Sequence, residues 1–268
     1  MRLQNFLLTE EGRTQGLSED EAMKKLQTTH RVAAKASEKG SNRIYRGLNR
    51  DEGAFAFVQP SQSTRMSKNT LNAYTLLIDN LPAWKAYPKR SKSVIASSDY
   101  GRATDYAYNG GIYCVFPENG AKIGVCPMGD IWDSFQGSMN VISMDGFAQS
   151  LRNLIMLAHN TKDTYVEEFK EWNSFLENLD YVDKVRFDIN DDYMLPGTIQ
   201  DLGLENYFKK GSKIRLIDHL AKLLDPTKNR FELKKAGDDL PKFKEVWTDG
   251  DCVFIKYRHF MDNLIGKL

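Results

Sequence analysis

Phe243-Lys244-Glu245-Val246-Trp247-Thr248-Asp249-Gly250-Asp251-Cys252-Val253-Phe254-Ile255 is the stretch that decides the fold. Its β-branched and aromatic residues, interrupted by Asp-Gly-Asp, read as strand, turn, strand. Two earlier segments have the same character, Ile44-Tyr45-Arg46-Gly47-Leu48 and Ser93-Val94-Ile95-Ala96-Ser97-Ser98. Each of the three delivers one polar residue from an apolar setting: Arg46, Ser97 and Glu245.

Working outward, Ser18-Glu-Asp-Glu21 is a capping box ahead of Ala22, Met23, Leu26 and Val32, which predicts one helix from about 19 into the high thirties. Ala54–Val58 reads as a short strand stopped by Pro60. Leu71, Tyr74, Leu77 and Ile78 share a helical face over about 70–80, and Asp99 can cap a helix reaching about Ala107. Ile112–Phe116 and Ala121–Val125 flank Pro-Glu-Asn-Gly120, a hairpin signal that puts both strands in one sheet. From about 146 to 235 the apolar spacing is helical, as in Phe147, Leu151, Leu154 and Ile155, or Ile214, Ile217, Leu220 and Leu223. Leu233–Pro241 reads as a charged loop.

With 268 residues, 41% hydrophobic, the chain can bury a full core without staples. The balance of 37 basic against 36 acidic side chains excludes a strongly basic nucleic-acid coat. Cys114, Cys126 and Cys252 form no close pair, which points away from a zinc or disulfide framework and toward a reducing cytoplasm. The N-terminal apolar run is too short for a signal peptide and no segment is long enough to span a bilayer, so a soluble, intracellular protein is expected. His30, His159, His219 and His259 show no metal-ligand spacing, and no Gly-Lys-Ser/Thr loop or Gly-x-Gly-x-x-Gly turn supports a triphosphatase or Rossmann reading. The basic stretch Lys85–Lys92, with Trp84 and Tyr87 interleaved, reads as a solvated loop, with phosphate contact as its functional alternative.

Arginine, serine and glutamate on three strands, in that order, resemble the signature of the NAD-dependent mono-ADP-ribosyltransferases, over residues 42–135 and 240–258. The resemblance implies an α+β fold with a mixed, mainly antiparallel split β-sheet, an N-terminal helix and a large helical insertion. The expected division is 1–41 for the N-terminal helical segment, 42–140 for the first part of the core, 141–238 for the insertion and 239–268 for the final strands. It further implies NAD as co-substrate, release of nicotinamide, and transfer of ADP-ribose to a macromolecular acceptor, protein or nucleic acid. Glu245 would be the catalytic acid, Ser97 the hydroxyl that fixes its rotamer, and Arg46, Gly47 and Ser98 the cofactor-binding residues; Arg46, Ser97 and Glu245 should then meet in one cleft. The string Ser97-Ser98-Asp99 departs from the family's Ser-Thr-Ser. Phe243 stands where arginine-modifying members carry Glu, which turns the expectation toward an aromatic or apolar contact on the acceptor side; a core Phe on an alternating strand is the plainer reading. NAD hydrolysis, an RNA 2'-phosphotransferase-like reaction and a non-catalytic protein-interaction module are the alternatives on the same scaffold. The overall style also resembles accessory enzymes of large-tailed bacteriophages, which would place the protein in an infected host's cytoplasm.

Overall fold

The computed structural model describes residues 14–40, 42–65, 72–108, 110–135, 144–159, 169, 171–189 and 194–268. In chain order the strands are β1 (Thr14–Gly16), β2 (Ile44–Leu48), β3 (Phe55–Val58), β4 (Val94–Ser97), β5 (Gly111–Pro117), β6 (Lys122–Val125), β7 (Glu232–Lys235), β8 (Glu245–Thr248) and β9 (Cys252–Lys256). The α-helices of four residues or more among the described residues are α1 (Glu19–Gln27), α2 (Arg31–Glu38), α3 (Ala73–Asn80), α4 (Tyr100–Thr104), α5 (Met144–Ala158), α6 (Trp172–Val185), α7 (Met194–Leu202), α8 (Glu205–Phe208) and α9 (Leu216–Leu223). No helix among the described residues is long and apolar enough to cross a membrane. The chain forms two compact units, Met1–Lys68 with Ala86–Asp130 and Phe231–Leu268, and Asn69–Lys85 with Ile131–Arg230.

The first unit is α+β and holds a nine-stranded sheet in the order β1-β3-β9-β5-β2-β4-β8-β6-β7, with every pairing antiparallel. The ladder is uneven. β2 and β5 match over five residues, whereas β2 meets β4 only where Tyr45 stands opposite Ser97. The sheet is therefore two half-sheets, of five and four strands, joined at a narrow seam. The predicted hairpin of β5 and β6 does not form, because β5 lies between β2 and β9 and β6 between β8 and β7. Both the 118–121 turn and the 249–251 turn instead carry the chain from one half-sheet to the other. The two are bound together: Glu118 N–H donates to Asp251 O (2.8 Å) and Lys122 N–H to the Asp249 carboxylate (2.9 Å).

Alternation along the strands gives the sheet two faces. Tyr45, Cys114, Phe116, Val253 and Ile255 pack on one side with Ala22 and Leu26 of α1 and Ala33 and Ala34 of α2. Ile44, Val94, Tyr113, Val115, Val246 and Phe254 pack on the other. Each large apolar side chain so buried contributes about 1.5–3 kcal/mol.

The capping box forms, with Ser18 Oγ accepting from Glu21 N–H and the Glu21 carboxylate accepting from Ser18 N–H. The single helix expected there is two. Thr28 Oγ1 turns back onto Lys24 O (2.6 Å), and Asn119 takes the Val32 N–H and donates to Thr28 O, so a distant side chain caps α2 where the sequence alone shows no strong breaker. The charged segment read as a loop, Leu233–Pro241, overlaps β7, whose lysines suit an exposed sheet edge.

The second unit is helical. It takes in α3, which the sequence reading had left with the sheet: Tyr74, Leu76, Leu77 and Ile78 are all buried, and Tyr74 packs on Trp132 with ring centroids 5.1 Å apart. Trp84 Nε1 donates to Leu224 O (2.8 Å), and Asp183 anchors α9 by accepting from Leu216 N–H (2.9 Å) and Tyr207 Oη (2.8 Å).

Candidate functional site

β4 and β8 lie in register with Ser97 directly opposite Glu245, and Ser97 is the same residue that meets Tyr45 across the seam. Tyr45, Ser97 and Glu245 thus form one row on one face, over the narrowest point of the sheet. Arg46 does not join it. Being the neighbour of Tyr45, it belongs to the other face, in a row with Tyr113 and Lys256. The three predicted side chains do not converge; a one-residue offset in a strand reverses the face.

Gly47 also has a different use from the one expected. A Cβ there would lie 2.1 Å from Ala103 O and 2.8 Å from Ala107 N, so the missing side chain admits the backbone at the end of α4. The space that the cofactor was expected to enter is filled by the protein itself.

Ser97 Oγ donates to Lys244 O (3.2 Å) and accepts from Asp99 N–H (3.0 Å), and Asp99 in turn caps α4 by accepting from Arg102 N–H (2.7 Å). Ser98 is buried; its Oγ donates to Pro241 O (2.7 Å) and accepts from Lys244 N–H (3.0 Å). The serine pair therefore clamps the approach to β8, where a hydroxyl on the carboxylate and a cofactor contact had been expected. What the clamp holds is Phe243, which lies at φ 60° and is 66% exposed. A bulky residue in that region costs on the order of 1–3 kcal/mol and must be held by its surroundings. Phe243 is neither a strand residue nor a core residue. Beside it, Met128 is also exposed and accepts the Glu245 N–H at 3.4 Å.

The Glu245 carboxylate meets a cation that the sequence reading had placed in a solvated loop. Arg90 donates through Nε (3.1 Å) and Nη2 (2.8 Å) to Oε1, and the two side chains are only 10% and 12% exposed. Tyr106, at the end of α4, lies within the field of the same carboxylate and of Asp130; burial first, then these two charges, push its hydroxyl up to about 12. It is a neutral donor at physiological pH. Neither residue carries a motif, and the only signal for Arg90 was the basic stretch around it.

The remaining chemistry is unremarkable by comparison. Burial pushes the Cys114 thiol up to about 12, which removes it as a nucleophile. Among the described residues no three His, Cys, Asp or Glu side chains gather as a metal site. A hollow of about 610 Å³ is lined by Gln27, Thr28, Arg31, Val32, Lys35 and Asn119, none of which belongs to the Glu245 row.

No family model, curated protein or solved structure matches the chain.

Proposed function

We propose that the Glu245 row is a site for cleaving the bond between nicotinamide and ribose in NAD, with ADP-ribose passed to a macromolecular acceptor. The observation that carries this reading is the register of Ser97 with Glu245 at the seam, which puts a serine opposite a carboxylate held by Arg90.

The chemistry asks little of the protein. The C–N bond breaks with its electron pair leaving on nicotinamide, which departs neutral and needs no acid. The sugar carbon becomes cationic, as in glycoside hydrolysis. Glu245 stabilises that charge, which is the largest preorganised electrostatic effect available here. An acceptor nucleophile then bonds to the carbon and passes its proton to water. Phe243 and Met128 would meet the acceptor beside the carboxylate. The resemblance requires Arg46 in the same cleft, whereas Arg46 belongs to the opposite face of the sheet and Gly47 admits the backbone of α4, so neither residue assigned to the cofactor joins the row and this counts against the reading.

That shortfall favours a second reading, a non-catalytic binding module in which Arg90 closes on Glu245 as a structural pair. One experiment separates the two. Adenine-labelled NAD is supplied to a bacterial lysate with the wild-type protein or Glu245→Gln, and free nicotinamide is measured alongside. Transfer predicts label in a discrete band and a loss of roughly 10²-fold or more in the variant. Nicotinamide without label would point to hydrolysis, and neither product would leave the binding module.

A further inference from the structure

We infer that Arg90 is the positioning residue of Glu245, the guanidinium that holds the carboxylate in one orientation; the kinetic part of this inference rests on the reading just given.

The loop bearing Arg90 is fastened on several sides. Arg65 donates through Nε to Ser91 O (2.9 Å), through Nη2 to Arg90 O (3.3 Å), and to Ser93 O. Backbone bonds from Arg65 N–H to Ser91 O (3.1 Å) and from Ser61 N–H to Lys92 O (2.8 Å) tie the same segments together. Ser93 Oγ closes the loop on Lys89 O (2.8 Å). From the other direction Trp247, two residues beyond Glu245 on the same face, donates its Nε1 to Pro88 O (2.9 Å) and stacks on Tyr87 at 6.3 Å and 22°. Tyr87 Oη donates to Phe231 O (3.0 Å).

These bonds hold the loop against β8, and Arg90 Nε and Nη2 both donate to Glu245 Oε1. A carboxylate gripped in this way keeps one rotamer, so its second oxygen has a fixed direction. Two donors from one planar guanidinium hold Oε1 more narrowly than a lysine ammonium, a point charge on a flexible stem, would. Arg65 acts one step further back, on the loop rather than on the carboxylate.

The test compares steady-state nicotinamide release by the wild type, Arg90→Ala, Arg90→Lys, Arg65→Gln and Glu245→Gln, with unfolding midpoints for each. A positioning role predicts that Arg90→Ala lowers kcat about 10–100-fold while KM for NAD moves less than about threefold. Added guanidinium ion should restore part of kcat in Arg90→Ala and none in Glu245→Gln, Arg90→Lys should fall between, and Arg65→Gln should lower kcat in the same sense. A rise in KM with kcat unchanged would make Arg90 a cofactor holder and overturn the inference, as would wild-type kinetics in Arg90→Ala. If the wild type releases no nicotinamide, the NAD reading fails by itself, and the unfolding data for Arg90→Ala, Glu245→Gln and the double variant decide the pair: non-additive losses uphold the coupling, additive losses end it.

Discussion

Two ion pairs of the first unit join a cation to a carboxylate in opposite settings. Arg90, on a fastened loop, and Glu245 on β8 meet at 2.8 Å and are about nine-tenths covered, whereas Lys256 and Asp51, at 2.7 Å, are 37% and 51% exposed. In water a pair gains little, because the charges are screened and two long side chains must be ordered. Out of water both charges depend on each other, and losing one strands its partner. Distance alone does not distinguish the pairs; the covering does.

The sharpest way to break this contrast is Arg90→Ala. Glu245 would be left covered and without that cation, and a stability loss on the order of 3 kcal/mol is expected in chemical unfolding; a loss under about 0.5 kcal/mol would make the two pairs equivalent. Next in size is Gly47→Ala beside the same row, where a Cβ 2.1 Å from Ala103 O must displace the end of α4. A loss of about 1–3 kcal/mol, with altered exchange of the amides around Tyr106, is expected. Ser98→Ala should cost about 1–2 kcal/mol, since the Lys244 N–H and Pro241 O lose their partner, and should raise protease cleavage at the released Phe243.

On the exposed side, Lys256→Ala should change the unfolding free energy far less than any of the three changes above. Its signature is pH. The Lys256 ammonium first, then the Gly53 N–H and the Tyr113 hydroxyl, hold the Asp51 carboxyl below its ordinary value. A lowered folded pKa means the contribution is complete above the ordinary aspartate range, near 4, and is lost as pH falls through the folded value. Asp51→Asn should therefore differ from wild type at neutral pH and converge with it in strong acid; a difference that persists unchanged into acid would contradict the pairing.

The same contrast explains what the sequence revealed. The strands at 44–48, 55–58 and 94–97 were legible because apolar, β-branched runs are a local signal, and the Ser18–Glu21 and Asp99 caps because capping is local too. The row opposite Glu245 was legible only in part. Ser97 and Glu245 could be named, but which of Tyr45 and Arg46 faces them depends on a one-residue register that no residue type encodes. Arg90 lies 155 residues from Glu245, and its role exists only once loop and strand have met. Phe243 was read as extended because the left-handed backbone expected of glycine is here imposed by Ser98 on an aromatic. The hairpin at 117–122 was misread for a related reason: its turn chemistry announces a reversal, and says nothing of whether the two strands become neighbours.

The strand order has a consequence for how the sheet is made. β8 and β9 are the latest strands in the chain, yet β9 stands between β3 and β5 and β8 between β4 and β6. Both halves therefore wait for residues 245–256 before their central pairings can close, and each closure spans well over a hundred residues, as with Phe55 to Ile255 and Val94 to Thr248. Such high contact order slows assembly and leaves unpaired edges waiting. A nascent chain would emerge from the ribosome with its sheet unfinished until the segment carrying Glu245 arrives, so the strand that bears the candidate carboxylate is also the one that completes the fold.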